Sequence, residues 1–256
     1  MAQAQAIFER HPTLGIVARL LKMADRLLAP PLCLACGNVP AEAPDGMVGL
    51  CQTCEEALPR FPADSRCQLC GGLVDTALPV CHECAETPRP WTCGVTAFPY
   101  RGRISELIRD YKYHRVTAYA PFFAKAIAHA WRVAQPLVHP DCVVPVPLHW
   151  RRRLARGFNQ AELVGRFLAS ELGIGLVTPL RRIRATGHQA RLDSTARIRN
   201  LRRAFVIPEH EAGNIGGRTV LLVDDVFTTG ATLTAAAEVL LSFGVAEVAV
   251  ATIARA

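Results

Sequence analysis

Apolar positions in the part of the chain that begins near residue 96 follow two alternating periods. In several segments they recur three and four residues apart, which places them on one face of a helix. Between these segments lie short, continuous apolar runs, which are typical of strands buried on both faces of a parallel sheet. The pattern predicts helices over 104–113, 121–134, 160–173 and 231–244, and strands over 142–146, 219–223 and 247–254.

Alternating strands and helices predict an α/β domain over residues 96–256, with a mainly parallel sheet flanked by helices. Asn159 is predicted to cap one of these helices, with Glu162 three positions later. Residues 1–30 are predicted to form a short amphipathic helix, and their early charged residues do not fit a signal peptide. No apolar run reaches the roughly 18 residues of a membrane span. We therefore expect a cytoplasmic protein without a membrane span.

Eight of the ten cysteines form four Cys-x-x-Cys pairs between Cys33 and Cys84. Two thiolates at this spacing can bind one ion, and two such pairs complete a tetrahedral site. The region has few large apolar side chains, so bound metal would have to supply its folding free energy. The sequence therefore predicts a small double zinc ribbon over residues 31–92, with two structural zinc ions. Tandem pairing would join Cys33, Cys36, Cys51 and Cys54 at one ion and Cys67, Cys70, Cys81 and Cys84 at the other, and the spacing also permits an interleaved pairing.

The segment VLLVDDVFTTGAT, residues 220–232, carries the most specific chemical pattern of the chain. Ligands of parallel α/β sheets bind where strands end, and the strand over 219–223 ends at two aspartates. Backbone N–H groups at the start of the next helix form an anion site. Gly230 lets the backbone approach a ligand closely. The predicted sugar-phosphate site comprises Asp224, Asp225, Val226, Thr228, Thr229, Gly230, Ala231 and Thr232, with Asp225 preferred for direct contact because adjacent strand side chains point in opposite directions.

Positive charge is concentrated between residues 151 and 203. This band holds 13 arginines against three acidic residues, a net charge of 13 − 3 = +10, whereas the whole chain carries +7. Such a band implies a polyanionic partner, either a phosphorylated small molecule or nucleic acid.

The four cysteine pairs, the segments PVPLHWRRRLARGFNQAELV and RRIRATGHQARLDSTARIRNLRRAF, and the acidic motif together resemble the ComF family of competence-associated proteins. The acidic motif itself is similar to the phosphoribosyl diphosphate (PRPP) motif of type I phosphoribosyltransferases, although Phe227 is bulkier than the usual aliphatic residue. The resemblance implies a type I phosphoribosyltransferase-like fold preceded by the zinc ribbons. It also implies that PRPP is the ligand, bound together with Mg²⁺, and that the protein is linked to natural competence and DNA uptake.

The resemblance further implies a pyrophosphate loop over 147–159 and a flexible lid over 184–203. In the loop, Arg156 and then Arg152 are the preferred pyrophosphate contacts, and Gly157 would allow a close turn. The lid would exclude water from an oxocarbenium-like sugar. Its candidate residues are Arg184, Thr186, His188, Gln189, Arg197 and Asn200.

Three functions are compatible with the sequence. The first is an enzyme that transfers phosphoribose from PRPP to an amine or base acceptor. The second is a PRPP or nucleotide sensor that works without turnover beside competence proteins. The third is a single-stranded DNA-handling protein, which the scarcity of aromatic residues in the basic band disfavours, because such proteins stack bases on aromatic rings.

Overall fold

The computed structural model describes residues 32–38, 49–62, 65–74, 78–184 and 204–256. The chain divides into two compact units, Met1–Glu56 and Ala57–Ala256. The helix predicted over 1–30 lies outside the described residues. Among the helices in the described ranges, none has the length and apolar character that crossing a membrane demands.

The second unit is built on a parallel sheet of five strands, which confirms the predicted α/β fold class. Across the sheet the strand order is β1-β7-β6-β2-β3, and every neighbouring pair is parallel. The short strands β4 and β5 form a separate antiparallel pair. In chain order the described strands are β1 (Cys93–Pro99), β2 (Cys142–Pro145), β3 (Gly175–Leu176), β4 (Arg181–Arg182), β5 (Phe205–Val206), β6 (Thr219–Phe227) and β7 (Glu247–Arg255).

Helices cover both faces of the sheet. Leu233, Ala236 and Leu240 of the last helix share one apolar cluster with Val144 and Leu222 of the central strands. On the opposite face, a Cβ at position 165 would lie 3.3 Å from the Val143 side chain. In chain order the described helices are α1 (Gln52–Glu56), α2 (His82–Glu86), α3 (Gly102–Arg109), α4 (Ala120–Ala134), α5 (Trp150–Arg156), α6 (Gln160–Leu172), α7 (Glu209–Ala212) and α8 (Ala231–Ser242).

The cysteine-rich segment of the second unit packs directly on the sheet. Trp91 Nε1 donates a hydrogen bond to the Leu69 carbonyl at 2.7 Å, and Thr96 Oγ1 in β1 donates to the Cys70 carbonyl at 2.8 Å. A Cβ at Gly94 would lie 2.2 Å from the Leu69 carbonyl oxygen, so only glycine permits this approach. Cys67, Cys70 and Cys84 belong to the same apolar cluster as α8.

Several details differ from the sequence-based expectations, and three of them lie close to the acidic motif or the predicted pyrophosphate loop. Strand β6 runs on through Phe227 instead of ending at Val223, because β7 continues beside it as far as Arg255 and supplies hydrogen-bond partners. The predicted pyrophosphate loop contains the helix α5. Asn159 lies at the N-cap position of α6, but its side chain makes no capping bond and instead donates to the Val146 carbonyl at 3.1 Å.

Candidate functional site

Both cysteine clusters are paired in tandem. One consists of Cys33, Cys36, Cys51 and Cys54, and the other of Cys67, Cys70, Cys81 and Cys84. Within each cluster the four sulfur atoms lie within 4.8 Å of one another. The interleaved pairing that the spacing had left open is therefore not the one in the structure.

The sulfur geometry fits zinc. Four thiolates around one Zn²⁺ at about 2.3 Å place neighbouring sulfurs about 3.8 Å apart. The Sγ atoms of Cys70 and Cys81 are 3.7 Å apart, and those of Cys36 and Cys51 are 3.9 Å apart. Four sulfur ligands leave no open coordination position, so such a metal would have a structural role.

The two aspartates of the acidic motif lie at the C-terminal end of β6, in the middle of the sheet. The backbone N–H of Asp225 donates to Asp224 Oδ1 at 2.8 Å. Burial, with a further contribution from the charge of Asp225, raises the pKa of Asp224 to about 7. Asp224 is therefore poised to exchange a proton near neutral pH.

Lys112 is a member of this site that sequence reasoning missed. Its Nζ lies 2.8 Å from Asp225 Oδ1, and the two side chains are only 16% and 15% exposed. Lys112 is held there by a single π-helical turn, Asp110–His114, that follows α3. The neighbouring Tyr111 is buried and donates to the Gln160 carbonyl at 3.0 Å, which fixes the turn. Such π-turns are frequent at functional sites, and the sequence offered no signal for one.

Arg182 lies close to Asp224, and Arg152 lies close to Arg182. Burial lowers the pKa of Arg182 in β4; the charge of Asp224 opposes the shift and that of Arg152 in α5 adds to it. Like charges gathered in a partly buried place favour an anionic ligand between them. Arg182 stands just before the predicted lid and was not among the predicted contacts.

The remaining predicted residues of the acidic motif follow the aspartates in order. Val226 is still in β6, Thr228 and Thr229 are exposed in the turn, and α8 begins at Ala231, with Thr232 in its first turn. Gly230 has a φ of +74°, a conformation that favours glycine, and a Cβ there would lie 2.7 Å from the Phe227 ring. The bare turn thus leads directly into the N-terminus of a helix of 12 residues.

The predicted pyrophosphate residues fall on α5 and at its end. Gly157 ends the helix with a φ of +82°. Arg156 donates to Gln160 Oε1 at 3.1 Å, and its guanidinium lies over the Tyr113 ring at 5.2 Å. Of these two arginines, Arg152 is the one whose charge acts on Arg182.

The lid prediction can be followed only at its edges. Strands β4 and β5 flank the predicted segment, and Arg184 is exposed just after β4. The other predicted lid residues, Thr186, His188, Gln189, Arg197 and Asn200, lie outside the described residues.

Comparisons with known proteins bear on this arrangement. A family model described as a phosphoribosyl transferase domain matches residues 159–256. The DNA utilization protein YhgH of Escherichia coli K12 is 34% identical over 232 residues, covering 88% of this chain and 96% of that protein. Competence protein F of Haemophilus influenzae is 32% identical over 213 residues, covering 81% and 91%. The chain belongs to the ComF family.

Within this ComF-family chain, the segment matched by the phosphoribosyl transferase model runs from the N-cap of α6 to the end of β7. It contains both aspartates, the bare turn and α8, whereas the cysteine clusters, Lys112 and α5 precede it. Among solved structures, an adenine phosphoribosyltransferase is similar at a TM-score of 0.36 and 21% identity, covering 56% of this chain and 74% of that one.

Proposed function

We propose that this protein binds PRPP together with Mg²⁺ at the acidic motif and transfers its phosphoribose to an amine or base acceptor. The observation that carries the proposal is the paired carboxylates at the end of β6, which lead into a bare turn and a helix N-terminus. This order of groups matches the parts of a phosphorylated ribose: hydroxyls beside the carboxylates and a phosphate beside the helix.

The cations around the carboxylates suit the other end of the ligand. Lys112 and the arginines Arg152 and Arg182 would neutralise the pyrophosphate, which must leave with its negative charge. Magnesium, when bound with PRPP, would supply positive charge that stabilises this leaving group. The carboxylates of Asp224 and Asp225 can accept hydrogen bonds from ribose hydroxyls, and carboxylate oxygens are also ligands that Mg²⁺ prefers.

In the structure the Lys112 ammonium occupies one acceptor of Asp225. A ribose hydroxyl would have to share or replace this contact, which would release the ammonium toward the pyrophosphate. Asp224 would lose its proton when it accepts a hydroxyl, because a hydrogen bond to the charged form favours that form.

Calorimetric titration with PRPP and Mg²⁺ tests the site. The double change Asp224→Asn and Asp225→Asn should weaken binding by about 100-fold or more, since each hydrogen bond to a charged group contributes roughly 1.5–3 kcal/mol. Asp141→Asn is the matched control, because Asp141 accepts from the Thr219 amide at 2.8 Å at the opposite end of the same strand. Equal PRPP affinity in the double variant and the wild type would refute the site.

A turnover assay separates transfer from sensing. Release of pyrophosphate that depends on an added amine or base supports the enzyme. Tight PRPP binding without release, across a broad panel of acceptors, supports a PRPP sensor instead. In either case we place the protein in the cytoplasm and in natural competence, because thiolate metal ligands need a reducing compartment and the relatives named above carry DNA utilization and competence in their names.

A second candidate function, the handling of single-stranded DNA, is favoured by α5. None of its side chains is buried, and it carries four arginines together with Trp150, which is 55% exposed. The Arg151 guanidinium lies 5.2 Å from the Trp150 ring, and Arg156 lies over Tyr113, which is 63% exposed. Exposed rings for stacking bases, alternating with cations for phosphates, are what single-stranded nucleic acid binding needs.

A further inference from the structure

A network of three charged side chains joins the second cysteine cluster to the turn of the acidic motif. We propose that Glu83, Arg89 and Arg255 are positioning residues, which fix the turn so that its amides face the phosphate. The inference rests on the proposed function, since it concerns the same phosphate site. It gives the second cysteine segment a role in ligand binding besides its structural role.

The contacts run from the cysteine segment to two consecutive carbonyls. Glu83, in α2, is paired with Arg89 at 3.3 Å and with Arg255 at 2.5 Å. Arg89 Nη1 donates to the Thr229 carbonyl at 2.9 Å, and Arg255 Nη1 donates to the Thr228 carbonyl at 2.9 Å. One carboxylate thus holds both guanidinium groups, and each guanidinium holds one peptide of the turn.

Peptide geometry converts these contacts into an orientation. In a planar trans peptide the carbonyl and the following N–H point in opposite directions. With the carbonyls of Thr228 and Thr229 turned toward the arginines, the N–H groups of Thr229 and Gly230 point away from them. Successive N–H groups directed to one side, ahead of a helix N-terminus, form an anion-binding concavity.

Packing prevents the turn from adopting another position. Both guanidiniums contact the Phe227 ring, whose centroid is 4.8 Å from Arg255 Cζ and 5.6 Å from Arg89 Cζ. A Cβ at Gly230 would lie 2.8 Å from Arg89 Nη1, so the turn fits closely against the network. The side chains of Arg89 and Arg255 are only 2% and 14% exposed, and buried charges of this kind need a partner such as Glu83.

The cysteine cluster determines where Glu83 lies. Glu83 stands between Cys81 and Cys84, two members of the second cluster. Thiolates that bind one ion would fix the backbone on either side of Glu83, and therefore the carboxylate that holds both arginines. This explains in physical terms why a cysteine segment packs against this edge of the domain.

The test compares Arg89→Ala and Glu83→Gln with a matched control, Arg66→Ala. Arg66 belongs to the same cysteine segment and also donates to a backbone carbonyl, that of Thr96 at 3.0 Å, but this carbonyl is in β1. We expect PRPP affinity to fall at least about tenfold in both network variants and to stay unchanged in the control, with the zinc content of all three equal to that of the wild type. Arg89→Lys should recover part of the loss, because an ammonium can still donate to the Thr229 carbonyl.

A second measurement needs no ligand. Backbone ¹⁵N relaxation of the Thr229 and Gly230 amides should report a rigid turn in the wild type, with order parameters of about 0.85. In the network variants the turn should be flexible, with order parameters below about 0.6. If the wild type does not bind PRPP, the proposed function fails, and the relaxation data still decide whether the network holds the turn. The inference would be overturned if Arg89→Ala and Glu83→Gln had the same order parameters, or the same PRPP affinity, as the control Arg66→Ala. Glu83→Gln keeps the size of the side chain, so it decides the question even where Arg89→Ala fails to fold.

Discussion

At the scale of single residues, the acidic motif combines two carboxylates whose surroundings differ. Asp225 is paired with Lys112, whereas burial raises the pKa of Asp224 to about 7. Holding a carboxylate in a place that disfavours its charge costs folding free energy when the group is ionised. The folded protein binds more protons than the unfolded chain between about pH 4 and pH 7, so Asp224 lowers the free energy of unfolding as pH rises through this window. A ligand that needs the ionised form can recover this cost on binding.

The pH dependence of PRPP binding follows from that linkage. Binding should release a proton from Asp224, so affinity should rise between about pH 6 and pH 8, with the steepest change near the pKa of about 7. Calorimetry in buffers with different ionisation enthalpies measures the number of protons released. In Asp224→Asn only the titration of the ligand itself should remain. An identical pH profile in this variant and the wild type would show that Asp224 does not titrate on binding.

At the scale of secondary-structure elements, apolar periodicity predicted the central strands and the long helices, but it missed the buried edge strand β1 and the exposed helix α5. The central strands and α8 were found because Val220, Leu222 and Leu240 are completely buried and recur with a clear period. Helix α5 was missed because none of its side chains is buried, so no apolar period marks it. The extension of β6 through Phe227 depends on how far β7 runs beside it, which is a non-local property.

The candidate site shows the same division. The aspartates and the turn are contiguous in sequence, so a local motif was enough to predict them as a site. Lys112 and Arg182 come from α3's π-turn and from β4, far apart in the chain, and only the fold brings them to the aspartates. Glu83 and Arg89 were inconspicuous in the sequence because Glu83 is one of the unspecified positions inside the last Cys-x-x-Cys pair and Arg89 belongs to no motif.

Substitutions on helix α5 test whether the protein binds single-stranded DNA. Trp150→Ala should weaken binding of a short single-stranded DNA by about tenfold, because stacking contributes roughly 1–3 kcal/mol per base, and should leave the salt dependence unchanged. Arg151→Gln should instead reduce the magnitude of the slope of log affinity against log salt concentration by about one, as expected for the loss of one phosphate contact. Fluorescence anisotropy at several salt concentrations measures both quantities.

Leu154→Ala is the control for these changes, since Leu154 is 74% exposed on the same helix and carries no charge or ring. Its DNA affinity should equal that of the wild type. If all three variants bind DNA as the wild type does, α5 is not a nucleic acid surface.

At the scale of the whole molecule, the two cysteine clusters belong to different compact units. The first lies in Met1–Glu56, and the second shares an apolar cluster with the sheet and α8 of Ala57–Ala256. Chemically the clusters are alike, but metal loss should have different consequences in each. Loss from the second cluster removes support from the surface on which Trp91 and β1 pack.

Single cysteine substitutions test this difference. Cys54→Ser and Cys84→Ser should each lose one zinc per chain, measured by elemental analysis, because the four sulfurs of each cluster converge on a separate site. Cys84→Ser should also lower the melting temperature of the phosphoribosyltransferase-like unit by about 10 °C, which corresponds to roughly 3 kcal/mol for a unit of this size. Cys84→Ser should also raise the rate of amide hydrogen exchange in β1, whereas Cys54→Ser should leave that rate as in the wild type. Loss of both zinc ions from either single change would contradict separate sites, and equal β1 exchange in the two variants would mean that the second cluster does not support the sheet.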